Sequence, residues 1–132
     1  MNTMIAQVAA VVATIGLFGL MCFQILLALG FPFGKAAWGG KYRILPLGFR
    51  IASLFSAVIF VFASIIVLEK AEVFSILNRP TVVTYGVWIF TAFLGLNTIS
   101  NFISRSKLEK RIMTPIALTL SLLCLTVAIT SS

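Results

Sequence analysis

LGFRIASLFSAVIFVFASIIVL, residues Leu47 to Leu68, carries a single charge, Arg50, and is otherwise an unbroken run of apolar and small residues. The apolar positions are continuous rather than alternating, and the run is about twice as long as a tilted barrel strand needs. In lipid, a helix satisfies every backbone N–H and C=O within its own segment. At a rise of about 1.5 Å per residue this helix is long enough to cross a hydrocarbon core of roughly 30 Å.

Three further stretches read the same way: Met4 to Leu29, Thr81 to Ile103 and Ile112 to Ile129, none of them charged. Even the shortest, the last, gives about 27 Å of helix. The chain of 132 residues is 61% hydrophobic with a mean hydropathy of +1.14 and three acidic residues. So small a domain has too little interior to hide that much apolar surface from water. The fold expected is an all-α membrane protein, a single domain over 1–132 with four transmembrane helices at about 4–29, 47–68, 81–103 and 112–129. The first segment lacks the basic flank and cleavage site of a signal peptide and is expected to be retained.

The cations orient the bundle. Loop 30–46 and its border carry Lys35, Lys41, Arg43 and Arg50, and loop 104–111 carries Arg105, Lys107, Lys110 and Arg111. Loop 69–80 has Lys70 and Arg79 alone, and the tails have no basic side chain. Short loops rich in Lys and Arg stay cytoplasmic, so both termini are expected outside, with 69–80 as the external turn. Beside membrane helices the net charge of +7 reflects topology and attraction to anionic lipid headgroups. Nucleic acid is not an expected partner, because no segment outside the helices is long enough to form a basic domain face.

Arg43-Ile44-Leu45-Pro46-Leu47 and Arg111-Ile112-Met113-Thr114-Pro115-Ile116 each place a proline near a helix start, where its missing N–H costs nothing. Two parallel helical-hairpin repeats would produce this pattern, as would shared topology alone. Loop one is the most distinctive segment. Gly30 to Arg43 combines four glycines and Pro32 with Phe31, Phe33, Trp38 and Tyr42 and with three cations, a composition suited to the headgroup layer. Gly39 and Gly40 with Lys41 and Arg43 also form a candidate anion site, without the spacing of a phosphate loop.

Polar residues inside the spans form a second candidate. Asn97, Asn101 and Ser104 share a face of helix three, while Gln24 of helix one and Ser53 and Ser56 of helix two fall at a comparable depth. One polar layer near the inner side is expected. Amides bonding across helices would make the layer purely structural, whereas a cavity there would make it a binding site for a headgroup or solute. Small residues, Ala6, Ala9, Ala13 and Gly16 on helix one and Thr91, Gly95 and Thr98 on helix three, let backbones approach closely.

Chemistry is sparse. The chain has no His and no Asp; Glu69 and Glu72 fall at the outer end of helix two, and Glu109 in loop three reads as a surface ion pair with Lys110 or Arg111. With no carboxylate expected inside a span, the small multidrug-resistance antiporters are a poor match. Cys22 and Cys124 make no zinc site, and serine nucleophiles would lack a base. No catalytic residue, metal or cofactor is expected; an enzyme would require Glu109 or Glu69 to face a lipid-accessible pocket.

Ala37-Trp38-Gly39-Gly40-Lys41-Tyr42, Leu45-Pro46, Arg50-Ile51-Ala52-Ser53, Asn97, Ser100-Asn101, Ser104-Arg105-Ser106, Glu109 and Met113-Thr114-Pro115 together resemble a widespread group of small bacterial four-helix membrane proteins. The resemblance covers most of the chain and implies the fold and a bacterial plasma membrane, but no activity. The expected role is non-catalytic, through contacts with lipid headgroups, anionic ones above all, or with a partner protein or second copy at the cytoplasmic face. Trp38, Gly39, Gly40, Lys41, Arg43, Arg50 and Arg105, with Gln24, Asn97 and Asn101, are the candidate binding residues. A small oligomeric transporter or channel with a path lined by helices one and three is the competing expectation.

Overall fold

The computed structural model describes residues 2–131. Four long helices follow one another: α1 (Asn2–Ala28), α2 (Leu47–Lys70), α3 (Pro80–Phe102) and α4 (Lys107–Thr130), with two single 3-10 turns, Gly34–Ala36 and Trp38–Gly40, between α1 and α2. All four are long and apolar enough to cross a membrane, and no strand occurs among the described residues. Met1 and Ser132, part of the tails expected outside, lie beyond the described residues.

The chain runs up and down around a ring. α1 packs closely on α2 and on α4, and α3 on α4, while α2 and α3 are the least closely packed neighbours. In lipid, contact area and close backbone approach rather than expulsion of water hold such helices together. α1 supplies that approach through Ala6, Ala10 and Ala13, wholly buried with Leu17 against Val67, Leu94, Leu120, Cys124 and Val127. Between α3 and α4, Ser121 Oγ donates to the Thr91 carbonyl at 3.2 Å. The outer surface is apolar: Ile15, Phe55 and Leu96 remain 68%, 67% and 67% exposed. A fold whose large side chains point outward is built for a lipid solvent, and the protein is a multi-pass membrane protein.

Loop one and the α3–α4 connection meet at one end, the basic end, and 71–79 closes the other. There Glu69 accepts the backbone N–H groups of Ile76, Leu77 and Asn78 at 2.9, 2.7 and 3.0 Å. Lys70 Nζ donates to Thr84 Oγ1 at 3.1 Å.

The fourth helix differs from expectation. It begins at Lys107 rather than near 112, because Ser106 caps it: the Ser106 hydroxyl accepts the Glu109 N–H at 3.3 Å. The basic loop 104–111 is therefore mostly helix, and Pro115 lies inside α4 rather than in its first turn. Pro46, by contrast, is the N-cap of α2. The two prolines occupy different helical positions, which removes the sequence basis for an internal duplication. Ser104, placed by spacing on the α3 face, lies past the end of α3.

Candidate ligand-binding site

Loop one folds back over the basic end and is held there by its own backbone. Gly34 N–H donates to the Arg43 carbonyl at 2.8 Å, and a methyl at Gly34 would come within 2.1 Å of the Tyr42 carbonyl oxygen. Glycine is required by that contact. Ala37 and Leu45 bury themselves with Leu27 against Phe23 and Tyr42. Trp38, at φ 51°, packs at a tilt against Phe49 with ring centroids 5.6 Å apart and donates from Nε1 to Ser53 Oγ at 3.0 Å. Gly40, at φ 71°, lies against Ser106, whose hydroxyl donates to the Lys35 carbonyl.

Beneath this cover lies a cavity of about 490 Å³ whose polar lining includes Gln24, Ser56, Asn97, Asn101 and Glu109, with Trp38 and Gly39 above it and Phe23, Phe60 and Phe93 among its apolar walls. The polar layer expected from the sequence is thus assembled from all four helices, but around a space. Gln24 Oε1 is fully buried and has no hydrogen-bond partner among the described residues. A buried acceptor left unpaired costs roughly 1–3 kcal/mol, so cross-helix amide bonding does not account for Gln24.

Glu109 corrects the sequence reading most. In place of a surface ion pair with Lys110 or Arg111, it is buried, 6% exposed, and lines the cavity. The reason is helical geometry: successive residues diverge around the axis. Lys110 and Arg111 face a separate groove with Lys107 and Thr114, and Lys110 Nζ sits 5.0 Å from the Phe102 ring centroid. In a capping box the Glu at the third position reaches back to the N-cap N–H. Here the Ser104 hydroxyl takes that N–H of Ser106 at 3.1 Å, and the Glu109 carboxylate turns inward. Its one side-chain hydrogen bond among the described residues comes from the Gly39 N–H at 3.4 Å. Burying a carboxylate this sparsely bonded is costly. The sequence carried a sign of the helix start, Ser106-Lys107-Leu108-Glu109, but none of the direction Glu109 takes.

The remaining candidates divide. Trp38, Gly39, Gln24, Asn97 and Asn101 meet at the cavity. Arg50 does not; its Nε donates to the Ala28 carbonyl at 2.9 Å, tying α2 to the end of α1. The Gly39–Gly40 anion cradle is not built either, since Gly39 N–H faces Glu109 and Gly40 N–H donates to the Ala37 carbonyl at 2.8 Å. Lys41 lies 5.4 Å from the Tyr42 ring centroid, and Arg105 is exposed. Arg43 and Lys35 border an apolar groove of about 610 Å³ between α1 and α4, with Cys22, Leu26 and Ile112.

The titratable chemistry of the cavity is sparse. Glu109 is its one titratable side chain, the Ser56 hydroxyl is occupied by the Ala52 carbonyl at 3.0 Å, and acid–base or nucleophilic catalysis needs paired groups within hydrogen-bond reach. Among the described residues no three of His, Cys, Asp or Glu gather as a metal site would require. The chain matches no family model, no curated protein and no solved structure.

Proposed function

We propose that this protein is a non-catalytic membrane protein that takes a lipid headgroup, or a polar solute of similar size, into the cavity at its basic end, with that end in the cytoplasm of a bacterial cell. The observation that carries this reading is the convergence of two buried, under-bonded acceptors, Gln24 Oε1 and the Glu109 carboxylate, on one cavity. Ile59 and Phe93, which border that cavity, are exposed positions on α2 and α3, the loosest pair in the ring. An amphiphile can therefore enter sideways, with its chains remaining in the bilayer. Binding is favoured over conduction because Leu17, Ala63, Val67, Val87 and Cys124 fill the core beyond the cavity.

A second contact is supported by a separate observation. Lys35 and Arg43 at the rim of the apolar α1–α4 groove suit an anionic phospholipid resting against the outside of the bundle.

Native mass spectrometry of protein gently extracted from its own membrane tests both. Wild type is expected to retain a lipid that a Gln24→Leu, Asn97→Leu double variant loses, whereas a Lys35→Ala, Arg43→Ala variant sheds only anionic lipid. Equal lipid occupancy in wild type and the Gln24, Asn97 variant would overturn the cavity reading.

A further inference from the structure

Resting on that cavity reading, we propose that the group the cavity accepts is a primary ammonium, with the Glu109 carboxylate as its counter-ion and the Gln24 and Asn amides as further acceptors. The cavity lining holds no Lys and no Arg, so no side chain in it balances the charge of Glu109, which has only the N-terminal dipole end of α4 beside it. The cations of the basic end are turned elsewhere: Lys110 toward Phe102, Arg50 onto the Ala28 carbonyl, Lys35 and Arg43 along the outer groove. A carboxylate presents about four acceptor sites, and Glu109 receives one long hydrogen bond, from Gly39 N–H at 3.4 Å. Gln24 Oε1, buried and unpaired, lines the same space. The site thus combines one negative charge, no cation and an unpaired amide oxygen among side-chain amides that can turn either end inward, a set complementary to a cation that carries N–H groups.

That complementarity makes a selectivity. A primary ammonium brings three N–H donors. A quaternary ammonium brings the charge but no donor, and so leaves Gln24 Oε1 unpaired. A phosphoglycerol headgroup offers hydroxyl donors, but no cation to offset Glu109. The same ammonium chemistry is available from an aminophospholipid headgroup or from a free organic amine, and the exposed Ile59 and Phe93 at the border of the cavity favour the lipid.

Full-length wild type and Glu109→Gln, in detergent, are titrated with phosphatidylethanolamine, phosphatidylcholine and phosphatidylglycerol of one short acyl length, and separately with free ethanolamine, and bound species are counted by native mass spectrometry. Glutamine keeps the shape of the side chain and an acceptor for Gly39. Wild type is expected to hold the ethanolamine lipid about tenfold more tightly than the other two, the scale of a charge-assisted hydrogen bond. Glu109→Gln is expected to erase that preference without weakening phosphatidylglycerol.

Equal binding of ethanolamine and choline lipids by wild type, a result that needs no variant, overturns the assignment; so does a preference that survives in Glu109→Gln. If the assignment fails while Gln24→Leu, Asn97→Leu still strips lipid, the cavity reading stands without it; if that variant also keeps its lipid, both fall. Displacement of the lipid by free ethanolamine supports the ammonium assignment with a soluble amine as its source. Retention of the ethanolamine lipid against free ethanolamine supports it with the headgroup as source.

Discussion

At the residue scale, Trp38 takes a role beyond the one its type suggests. Its composition class marks it as an interfacial anchor, but its indole N–H is directed at the buried hydroxyl of Ser53, fastening loop one to α2 above the cavity. Trp38→Phe keeps an aromatic ring against Phe49 and removes the hydrogen bond. It is expected to cost about 1 kcal/mol, read as the shift in unfolding free energy in a denaturing-detergent titration. Glu69 is the counterpart at the opposite end. One carboxylate gathers three successive N–H groups from 76–78, so Glu69→Ala is expected to free that turn and speed limited proteolysis within it, while helix content by circular dichroism stays unchanged.

At the scale of elements, loop one and the start of α4 form a unit. Gly34 admits no side chain because the Tyr42 and Arg43 carbonyls occupy the space. Gly34→Ala is therefore expected to destabilise the protein by about 1–3 kcal/mol, as overpacking does, and to expose the cavity. Gly19→Ala, where nothing lies within 4 Å of the added methyl, serves as a control and should leave the unfolding midpoint unmoved or slightly raised. Ser106→Ala removes both the cap of α4 and the tie to the Lys35 carbonyl, and a loss of about 1 kcal/mol or more is expected from the cap alone, measured by the same titration.

The helices were legible in the sequence because their cause is local. Hydrophobic runs of the right length marked all four, and boundaries in α2 and α3 fall within two residues of expectation. The start of α4 was missed because hydropathy registers where charge ends, whereas a helix begins where its first N–H groups find acceptors. The Ser106-x-x-Glu109 spacing held that information. The depth of Gln24 and Asn97 was readable by counting from the loops. The burial of Glu109 was not, because it depends on Ser104 taking the Ser106 N–H and on loop one closing above.

At the scale of the whole molecule, the bundle has two unlike ends. The basic end holds the amide- and carboxylate-lined cavity; the other holds a wider recess of about 700 Å³ that includes Glu69, Lys70, Arg79 and Thr84. The apolar core divides the two. In a background with Cys22 and Cys124 replaced by Ala, a cysteine at Ser75 is expected to react with a membrane-impermeant thiol reagent in intact cells, and one at Lys41 after permeabilisation alone. The reverse pattern would invert the orientation. In the same background a cysteine at Asn97 is expected to be labelled from the basic end and one at Leu17 to resist labelling.

Class, number of spans and the clustering of cations at one end were determined by the sequence itself, because a backbone in lipid must bond to itself and because charge cannot rest in hydrocarbon. Whether the polar layer closes into a bonded network or opens into a cavity, and which side chains are withdrawn from it, was decided only by tertiary structure. Those outcomes depend on how loosely α2 and α3 pack, on the turn of α4 that directs Glu109 inward and on the fold of loop one across the end. Each is a relation between segments distant in sequence, which no local pattern encodes.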